Sequence, residues 1–196
     1  MKMKLSLLPR ATSSLSDEEL MLRVSHKDDD RAFDELYHRH ARKLMGFFFR
    51  QVDHDEMLAA DLTQDAFMRI WAARENYSGT SLKTWIYSIA YNLCKNHFRH
   101  LSYIKVYEDE MTDTSNETFD EGFETKLDKK SFDQALQAEL DNMSPPYRML
   151  FSFRFEEELS VPQIASILDI PEGTVKSRLH TLIQSLRNKL QHYGKL

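Results

Sequence analysis

The chain has 196 residues, of which 41% are hydrophobic and 29% charged, so it has enough apolar side chains for a folded core, and global disorder is excluded. With only 5 Gly and 5 Pro a turn-rich all-β fold is disfavoured, and the single cysteine, Cys94, excludes an intramolecular disulfide. No apolar run approaches the roughly 20 residues that span a bilayer, and the apolar run near the N-terminus is too short for a secretory signal. These features predict an all-α protein that is soluble, cytoplasmic and not inserted in a membrane.

The net charge of −5 is distributed unevenly along the chain, in three blocks. Residues 76–107 contain four cations and no acid, residues 108–141 carry a net charge of −9 from twelve acids and three lysines, and residues 172–196 carry +4. Phosphate groups respond to the local potential rather than to the sum over the chain. The two basic blocks therefore predict two nucleic-acid contact surfaces, although solvated helix faces also produce short charge runs.

The N-terminal half predicts a bundle of four helices over residues 15–106, after a flexible tail at residues 1–14. Ser16 and Glu19 have the spacing of a capping box, and the acidic residues at 28–30 and within 53–56 suit the starts of the second and third helices. Apolar residues at helical spacing on the second and third helices, which we expect to face the core, include Phe33, Tyr37, Phe47, Met57, Phe67 and Trp71.

The C-terminal half predicts a linker and a second domain. Residues 107–130 are rich in Asp, Glu, Thr and Asn and lack apolar periodicity, which predicts an acidic linker. Residues 131–196 predict a domain of four helices, one of which runs from Tyr147 to about Phe155. A helix capped by Ser160 is followed by a tight turn at 169–171 and a long basic helix, in which Pro171 suits the first position. Two helices across a short turn, the second one basic, are typical of a DNA-binding helix-turn-helix. The sequence leaves the relative arrangement of the two domains open.

The last helix has two distinct sides. In a helix-turn-helix the second helix enters the major groove, and its outer face contacts the bases. An apolar stripe of Val175, Leu179 and Leu182 is expected to face the core. The residues predicted to contact DNA are Gly173, Lys176, Ser177, Arg178, His180 and Thr181. The Lys176 ammonium group can donate hydrogen bonds to the acceptor atoms of guanine, whereas Arg178 is better placed to contact a backbone phosphate. A plain helical hairpin with solvated polar residues is the alternative.

The acid-free segment around the fourth helix, residues 77–107, interleaves aromatic rings with Lys and Arg. This combination suits single-stranded DNA, whose unstacked bases stack on aromatic rings. The Asn92 side-chain amide can hydrogen-bond the edge of an adenine base that has left the duplex. We expect Trp85 to lie partly in the core, and the residues expected to be exposed to DNA are Lys83, Asn92, Lys95 and Arg99.

Three segments carry a resemblance to a known family, and they are DLTQDAFMRIW (61–71), TSLKTWIYSIAYNLCKNHFR (80–99) and LSVPQIASILDIPEGTVKSRLH (159–180). In this order and spacing they resemble the extracytoplasmic-function (ECF) sigma factors of bacterial RNA polymerase. The resemblance implies that residues 15–106 are sigma region 2, which docks on the largest subunit of core polymerase and opens the minus-ten promoter element. It implies that residues 131–196 are sigma region 4, which reads the minus-thirty-five element.

The resemblance also assigns roles to individual residues. It implies that Asn92 captures a flipped promoter base and that the outer face of the last helix reads the minus-thirty-five element. The residues that it implies for polymerase binding are Asp61, Gln64, Asp65 and Trp71. The first three also share one helix face by their spacing. Many relatives are held inactive by an anti-sigma factor, which makes such a protein a candidate partner here.

The chain departs from the family pattern at two places. Many members have a basic pair after the recognition-helix histidine, where this chain has Thr181, Leu182 and Ile183. Leu82 stands where an aromatic residue is frequent. The resemblance therefore does not extend to the promoter sequence that this chain prefers.

Two other classes of function are compatible with parts of the sequence. A free-standing helix-turn-helix regulator would bind duplex DNA without polymerase, but it leaves residues 61–99 without a role. An enzyme is the other class. His38 and His40 point to different helix faces, and His97 and His100 are more typical of surface histidines than of metal ligands. No nucleophile motif, phosphate-binding loop or dinucleotide fingerprint is present, so we expect no catalytic centre, metal or cofactor.

Overall fold

The computed structural model describes residues 12–100 and 129–191, and within these ranges the chain forms only helices and turns. The all-α prediction is therefore confirmed. Most of the predicted tail and most of the predicted acidic linker, residues 107–130, lie outside the described residues. Where the structure describes these segments, residues 12–14 form a 3-10 turn and Lys129 begins a helix.

Four α-helices form the N-terminal domain. They are α1 (Asp17–Lys27), α2 (Asp30–Gln51), α3 (Glu56–Ala72) and α4 (Leu82–His100), and short 3-10 helices lie at Thr12–Ser14 and Arg74–Asn76. Local capping explains where they start. The Ser16 hydroxyl accepts a hydrogen bond from the Glu19 backbone N–H at 3.1 Å, and the Glu19 carboxylate accepts one from the Ser16 N–H at 2.9 Å. Asp29 and Asp55 cap α2 and α3, each accepting a backbone N–H from three residues further on.

The C-terminal domain contains one element that the sequence did not predict. Its helices are α5 (Lys129–Asp141), α6 (Pro145–Phe151), a π-helix (Ser152–Glu156), α7 (Val161–Leu168) and α8 (Glu172–Leu190). The apolar pattern predicted an α-helix through Phe155, but the Glu157 N–H donates to the Ser152 carbonyl at 2.9 Å, which is the wider π geometry. Glu158 then takes a φ of 54° and ends the helix. This widening cannot be predicted from the spacing of the apolar residues, because a single π-helical turn leaves that spacing almost unchanged.

Buried apolar side chains of both domains form one continuous core, from Leu15 to Leu190. Within the N-terminal domain α2 packs on α3, and between the domains α4 packs on α7. The arrangement that the sequence left open is therefore a closed one, with the domains in direct contact. Two residues expected in the core lie at the surface instead, since Tyr37 is 47% exposed and Met57 is 78% exposed.

Candidate nucleic-acid interface and docking groove

The helix-turn-helix consists of α7, a three-residue turn and α8. Asp169 ends α7 with a φ of 55°, and the Ile170 N–H donates to the Ala165 carbonyl at 3.1 Å. This left-handed residue reverses the chain tightly, a position in which Gly and, less often, Asn or Asp are tolerated. α8 begins at Glu172, so Pro171 caps the helix rather than forming its first residue. In a helix-turn-helix, such a turn places the second helix so that it can enter a groove of DNA.

The predicted DNA-contacting side of α8 faces away from the core. Val175, Leu179 and Leu182 are buried as expected, Lys176 and Gly173 are exposed, and no atom lies within 4 Å of the position that a Cβ on Gly173 would take. The Ser177 hydroxyl donates to the Thr174 carbonyl at 3.0 Å, and the Thr181 hydroxyl donates to the Ser177 carbonyl at 3.2 Å. Both hydroxyl oxygens keep lone pairs as acceptors. The half-buried His180 lies one turn after Lys176 on this side, and the half-buried Arg178 lies at its edge.

Part of the predicted single-strand surface is assembled on one side of α4. Asn92, Lys95 and Arg99 are exposed, and at about 100° of rotation per residue they lie within a sector of about 60°. Trp85 belongs to the same side and is half-buried against the core, as expected, with its ring 5.4 Å from that of Tyr77. An amide, two cations and a partly exposed indole on one face are groups that bind phosphates and unstacked bases.

Lys83 differs from this prediction. It lies nine residues before Asn92, so it points to the opposite side of α4, about 180° away. It is half-buried, and its ammonium group donates to the backbone carbonyl of Glu157 in the C-terminal domain. The expectation that Lys83 is exposed to DNA is therefore wrong for the closed arrangement.

A groove of about 760 Å³ lies between α2 and α3. Its apolar lining includes Phe33, Tyr37, Met45, Phe67, Met68 and Trp71, and its polar lining includes Arg42, Thr63 and Gln64. Met68 is 61% exposed, although it is a large apolar residue. An apolar groove with polar residues at its edge is the kind of surface that binds another protein.

The structure places the predicted polymerase-binding residues in and around this groove. Gln64 and Trp71 line it, with Trp71 in a T-shaped contact with Phe33 at 4.9 Å. Asp61 is exposed on the outer side of α3, and Asp65 is half-buried and pairs with Arg69 at 3.3 Å. An acid, an amide and an apolar groove thus occupy one surface.

Two family models match the chain, each on one of these surfaces. Sigma-70 region 2 matches residues 36–102, which include the groove and α4, and Sigma-70 region 4 matches residues 133–182, which include the helix-turn-helix. Together the two matches cover more than half of the chain. Curated relatives named ECF RNA polymerase sigma-E factor match 90% and 92% of this chain. The chain belongs to the ECF sigma factors. This membership favours a promoter-directing role with RNA polymerase over that of a free-standing regulator.

Curated relatives of this sigma factor match over almost their whole length. The RNA polymerase sigma-H factor of Pseudomonas aeruginosa is 30% identical over 89% of this chain and 94% of its own. The ECF RNA polymerase sigma-E factor of Haemophilus influenzae is 29% identical over 90% of this chain and 96% of its own. That of Escherichia coli K12 is also 29% identical, over 92% and 97%.

Two solved structures share the fold. CnrH, in complex with the cytosolic domain of CnrY, has a TM-score of 0.64 at 18% identity and covers 90% of this chain and 97% of its own. The sigma factor RpoE from Bartonella quintana, in complex with the anti-sigma factor NepR, has a TM-score of 0.59 at 23% identity and covers 81% and 96%. At this level of identity the likeness supports the fold alone.

Two buried groups of the N-terminal domain have raised pKa values. Burial raises the pKa of the Cys94 thiol, and burial together with Glu18 and Asp17 raises the pKa of Tyr77 to about 12. Both groups therefore stay protonated at neutral pH. Among residues 12–100 and 129–191, no three His, Cys, Asp or Glu side chains are placed to hold a metal ion. No helix in the described part of the chain is both long and apolar enough to cross a membrane.

Sequence reasoning missed some residues of these surfaces. Tyr37 was expected in the core and Met68 was not singled out, yet both line the groove. A helix with large apolar residues outside its main stripe signals a second contact surface. A second contact surface is also indicated by the run Phe47–Phe49, since three consecutive residues cannot share one face of α2. Phe47 meets a residue of the other domain, which local pattern cannot identify.

Proposed function

We propose that this sigma factor binds core RNA polymerase through the α2–α3 groove, reads a minus-thirty-five element with α8 and holds the melted minus-ten element against α4. The exposed apolar groove carries this proposal, because a regulator that binds duplex DNA alone has no use for it. The chemistry of RNA synthesis belongs to the polymerase, and the protein contributes binding and positioning.

The docking step uses apolar burial and a few directional polar contacts. Tyr37 and Met68 would bury their exposed surface against the polymerase. This burial would stabilise the complex by about 25 cal/mol for each Å² of apolar area removed from water. Asp61 and Gln64 stand on the same side of α3 and would fix the orientation through charge and amide hydrogen bonds. Apolar burial would supply most of the affinity, and the polar contacts would fix the position of the sigma factor on the polymerase.

Recognition of the minus-thirty-five element would use the outer face of α8. Lys176 is exposed and would donate to guanine O6 or N7 in the major groove. The hydroxyl oxygens of Ser177 and Thr181 would accept from base amino groups, and His180 lies on the same side of the helix, while Arg178 would contact a backbone phosphate. Gly173 is exposed in the first turn of the helix, where the backbone N–H groups of a helix start suit a phosphate.

Capture of the minus-ten element would use the exposed side of α4. The Asn92 amide would hydrogen-bond the edge of a base that has left the duplex, and Trp85 offers a partly exposed ring for stacking. Lys95 and Arg99 would bind the phosphates of the same strand. Trapping the unstacked base favours the melted state without any covalent step.

The domain boundaries follow the same proposal: sigma region 2 at residues 15–106, a linker at residues 107–130 and sigma region 4 at residues 131–196. A cytoplasmic location is proposed with them, because the polymerase and the promoter are there. Both structural neighbours are bound to a second protein, and for RpoE that protein is an anti-sigma factor. An anti-sigma factor is therefore a proposed partner of this chain as well.

Co-purification with bacterial core RNA polymerase, followed by run-off transcription from candidate promoters, tests the proposed function. We expect tight association and promoter-dependent initiation, and we expect D61A/Q64A to lose affinity for the polymerase while keeping its helical content. Absence of association, together with specific duplex binding by the protein alone, would instead support the free-standing regulator.

A further inference from the structure

The aromatic lining of the α2–α3 groove ends at Trp71. The ring centroids of Tyr37 and Phe67 are 4.7 Å apart, and those of Phe67 and Phe33 are 6.1 Å apart. The centroids of Phe33 and Trp71 are 4.9 Å apart. Each contact links one ring to the next, so the half-buried indole of Trp71 stands at the end of the series. Its position therefore also depends on contacts outside these four rings.

Arg74 provides such a contact. It lies in the 3-10 helix directly after α3, and its guanidinium carbon Cζ is 4.7 Å from the centroid of the Trp71 ring. A cation within about 6 Å of an indole is attracted by the negative face of the ring. The Arg74 Nη1 also donates to the Trp71 carbonyl at 3.0 Å, near the end of α3, where a helix favours a cation. Arg74 thus contacts both the ring and the backbone of the same residue.

Asp28 in turn holds the guanidinium group from the turn between α1 and α2. The Arg74 Nε donates to the Asp28 carboxylate at 2.7 Å, although the two residues are 46 positions apart. Asp28 takes a φ of 49°, and its backbone N–H donates to the Val24 carbonyl at 3.2 Å, which ends α1. A planar guanidinium group can donate hydrogen bonds from its edge while its face remains available to the indole, whereas the ammonium group of a lysine has no such face.

The exposure of this ion pair indicates a role in orientation rather than in stability. The Arg74 side chain is 20% exposed, but that of Asp28 is 67% exposed. An ion pair with so exposed a partner contributes little to the free energy of folding, because water screens its charges. The pair nevertheless restricts the direction of the guanidinium group, and that direction limits where the indole can lie.

We propose that Arg74, held by Asp28, is a positioning residue for polymerase binding: it fixes the Trp71 indole at the end of the α2–α3 groove. This inference rests on the proposed function for the role of the groove. A side chain that is ordered before binding loses little conformational entropy on binding, so the affinity rises without any contact between Arg74 and the polymerase. Without Arg74 the polymerase itself must order the indole, which lowers the affinity.

The order of the Trp71 ring can be measured by fluorescence, because the chain has only two tryptophans. The background variant W85F leaves Trp71 as the sole indole, and acrylamide quenching and time-resolved anisotropy are recorded on the free protein. We expect R74A to raise the quenching constant and to add a nanosecond rotation of the indole. R74K keeps the charge but not the planar group, so we expect values between those of R74A and Arg74. K27A removes a cation from the exposed residue next to Asp28 and should change neither quantity.

Binding to core RNA polymerase is then measured with Trp85 intact, in a double-mutant cycle with W71L. Leucine keeps a large apolar side chain at position 71 but has no ring. With Trp71 present, we expect R74A to weaken binding about three- to tenfold. D28N should act in the same direction but less, since an asparagine oxygen still accepts from Arg74 without a charge. In the W71L background R74A should change the affinity by less than about twofold, because no indole is left to position.

Three results would overturn the inference. The first is an indole that is equally ordered with and without Arg74, and the second is a mobile indole in R74A with unchanged polymerase affinity. The third is an equal loss of affinity for R74A with Trp71 and with W71L, which would assign Arg74 a direct contact with the polymerase or a role in the fold. If the wild type also fails to bind polymerase although R74A mobilises the indole, the proposed function is wrong and the positioning role falls with it, while the contact between Arg74 and Trp71 stands.

Discussion

Phe47 and Phe153 are 106 positions apart in the sequence, yet their rings are nearly parallel, with centroids 5.4 Å apart. Phe47 lies in α2 and Phe153 in the π-helix, so this contact joins the two domains. Each ring is fully buried. The stability of either domain is therefore coupled to the presence of the other.

Replacing Phe153 by Ala should uncouple the domains. Removal of a fully buried Phe ring costs about 3–5 kcal/mol, and here the loss falls on the contact between two folded units. We expect urea unfolding of F153A, followed by far-UV circular dichroism, to begin at lower denaturant and to broaden or split into two transitions. F155A is the matched control, because Phe155 lies in the same π-helix but is 43% exposed. Equal shifts in both variants would contradict the coupling.

The groove between α2 and α3 makes a prediction about polymerase binding. M68E introduces a charge on an exposed apolar residue that lines the groove, so docking would bury an unpaired carboxylate. We expect affinity for core polymerase to fall at least about tenfold, which corresponds to about 1.4 kcal/mol. M57E carries the same change on the same helix outside the groove, and we expect it to bind normally. Surface plasmon resonance with immobilised polymerase distinguishes the two.

Lys176 makes a prediction about promoter choice. If its ammonium group contacts a base, K176A should lose about 1–3 kcal/mol of discrimination at one position of the minus-thirty-five element. Selection of promoters from a randomised library by the holoenzyme, followed by sequencing, would show relaxed preference at that position. K189A removes one positive charge near the end of α8 and should leave the selected sequence unchanged. A uniform loss over all sequences in K176A would make Lys176 a phosphate contact instead.

Asp17 predicts how stability depends on pH. Partial burial raises its pKa, but hydrogen bonds from Arg39 at 2.8 Å and His40 at 2.7 Å outweigh burial and hold the pKa below its ordinary value. The folded state therefore binds this proton less readily than the unfolded state does. The stabilisation is complete above the unfolded pKa of about 3.9 and is lost as the pH falls through the folded pKa.

The variant D17N tests this linkage. At pH 7 we expect it to be about 1 kcal/mol less stable than the wild type, and we expect the difference to shrink as the pH falls below about 4. Urea midpoints measured between about pH 3 and 7 give the comparison. D34N changes an exposed carboxylate on α2 and should parallel the wild type throughout. A D17N deficit that stays constant across this range would assign its effect to packing rather than to charge.

Rules that involve only neighbouring residues were sufficient to predict most of the helices. Ser16 with Glu19, and the acids before α2 and α3, cap their helices as predicted, because capping involves only residues three positions apart. The buried stripe of α8 was predicted for the same reason, and with it the side that carries Lys176. The tight turn before α8 also follows from neighbouring residues, although the helix starts one residue later than expected.

Contacts between distant residues could not be predicted in this way. The pattern in α4 identified Asn92, Lys95 and Arg99 as exposed, but it placed Lys83 with them, because nothing near Lys83 indicates that Glu157 accepts its hydrogen bond. Tyr37 was assigned to the core because an apolar residue at helical spacing usually lies there. Whether such a residue is covered depends on the neighbouring helix, and beside Tyr37 the packing of α2 on α3 leaves a groove.

By itself, the sequence determined the all-α fold and the helix-turn-helix, since capping and periodicity are short-range properties of the chain, and its three motifs carried the resemblance to the sigma factors. Only the tertiary structure decided that the domains close on each other through Phe47 and Phe153, that a π-helix presents Phe153 and that the start of α4 is covered. These features depend on burial and charge pairing between residues about a hundred positions apart. Such pairings are selected by the folded chain as a whole, because each side chain alone is compatible with several partners.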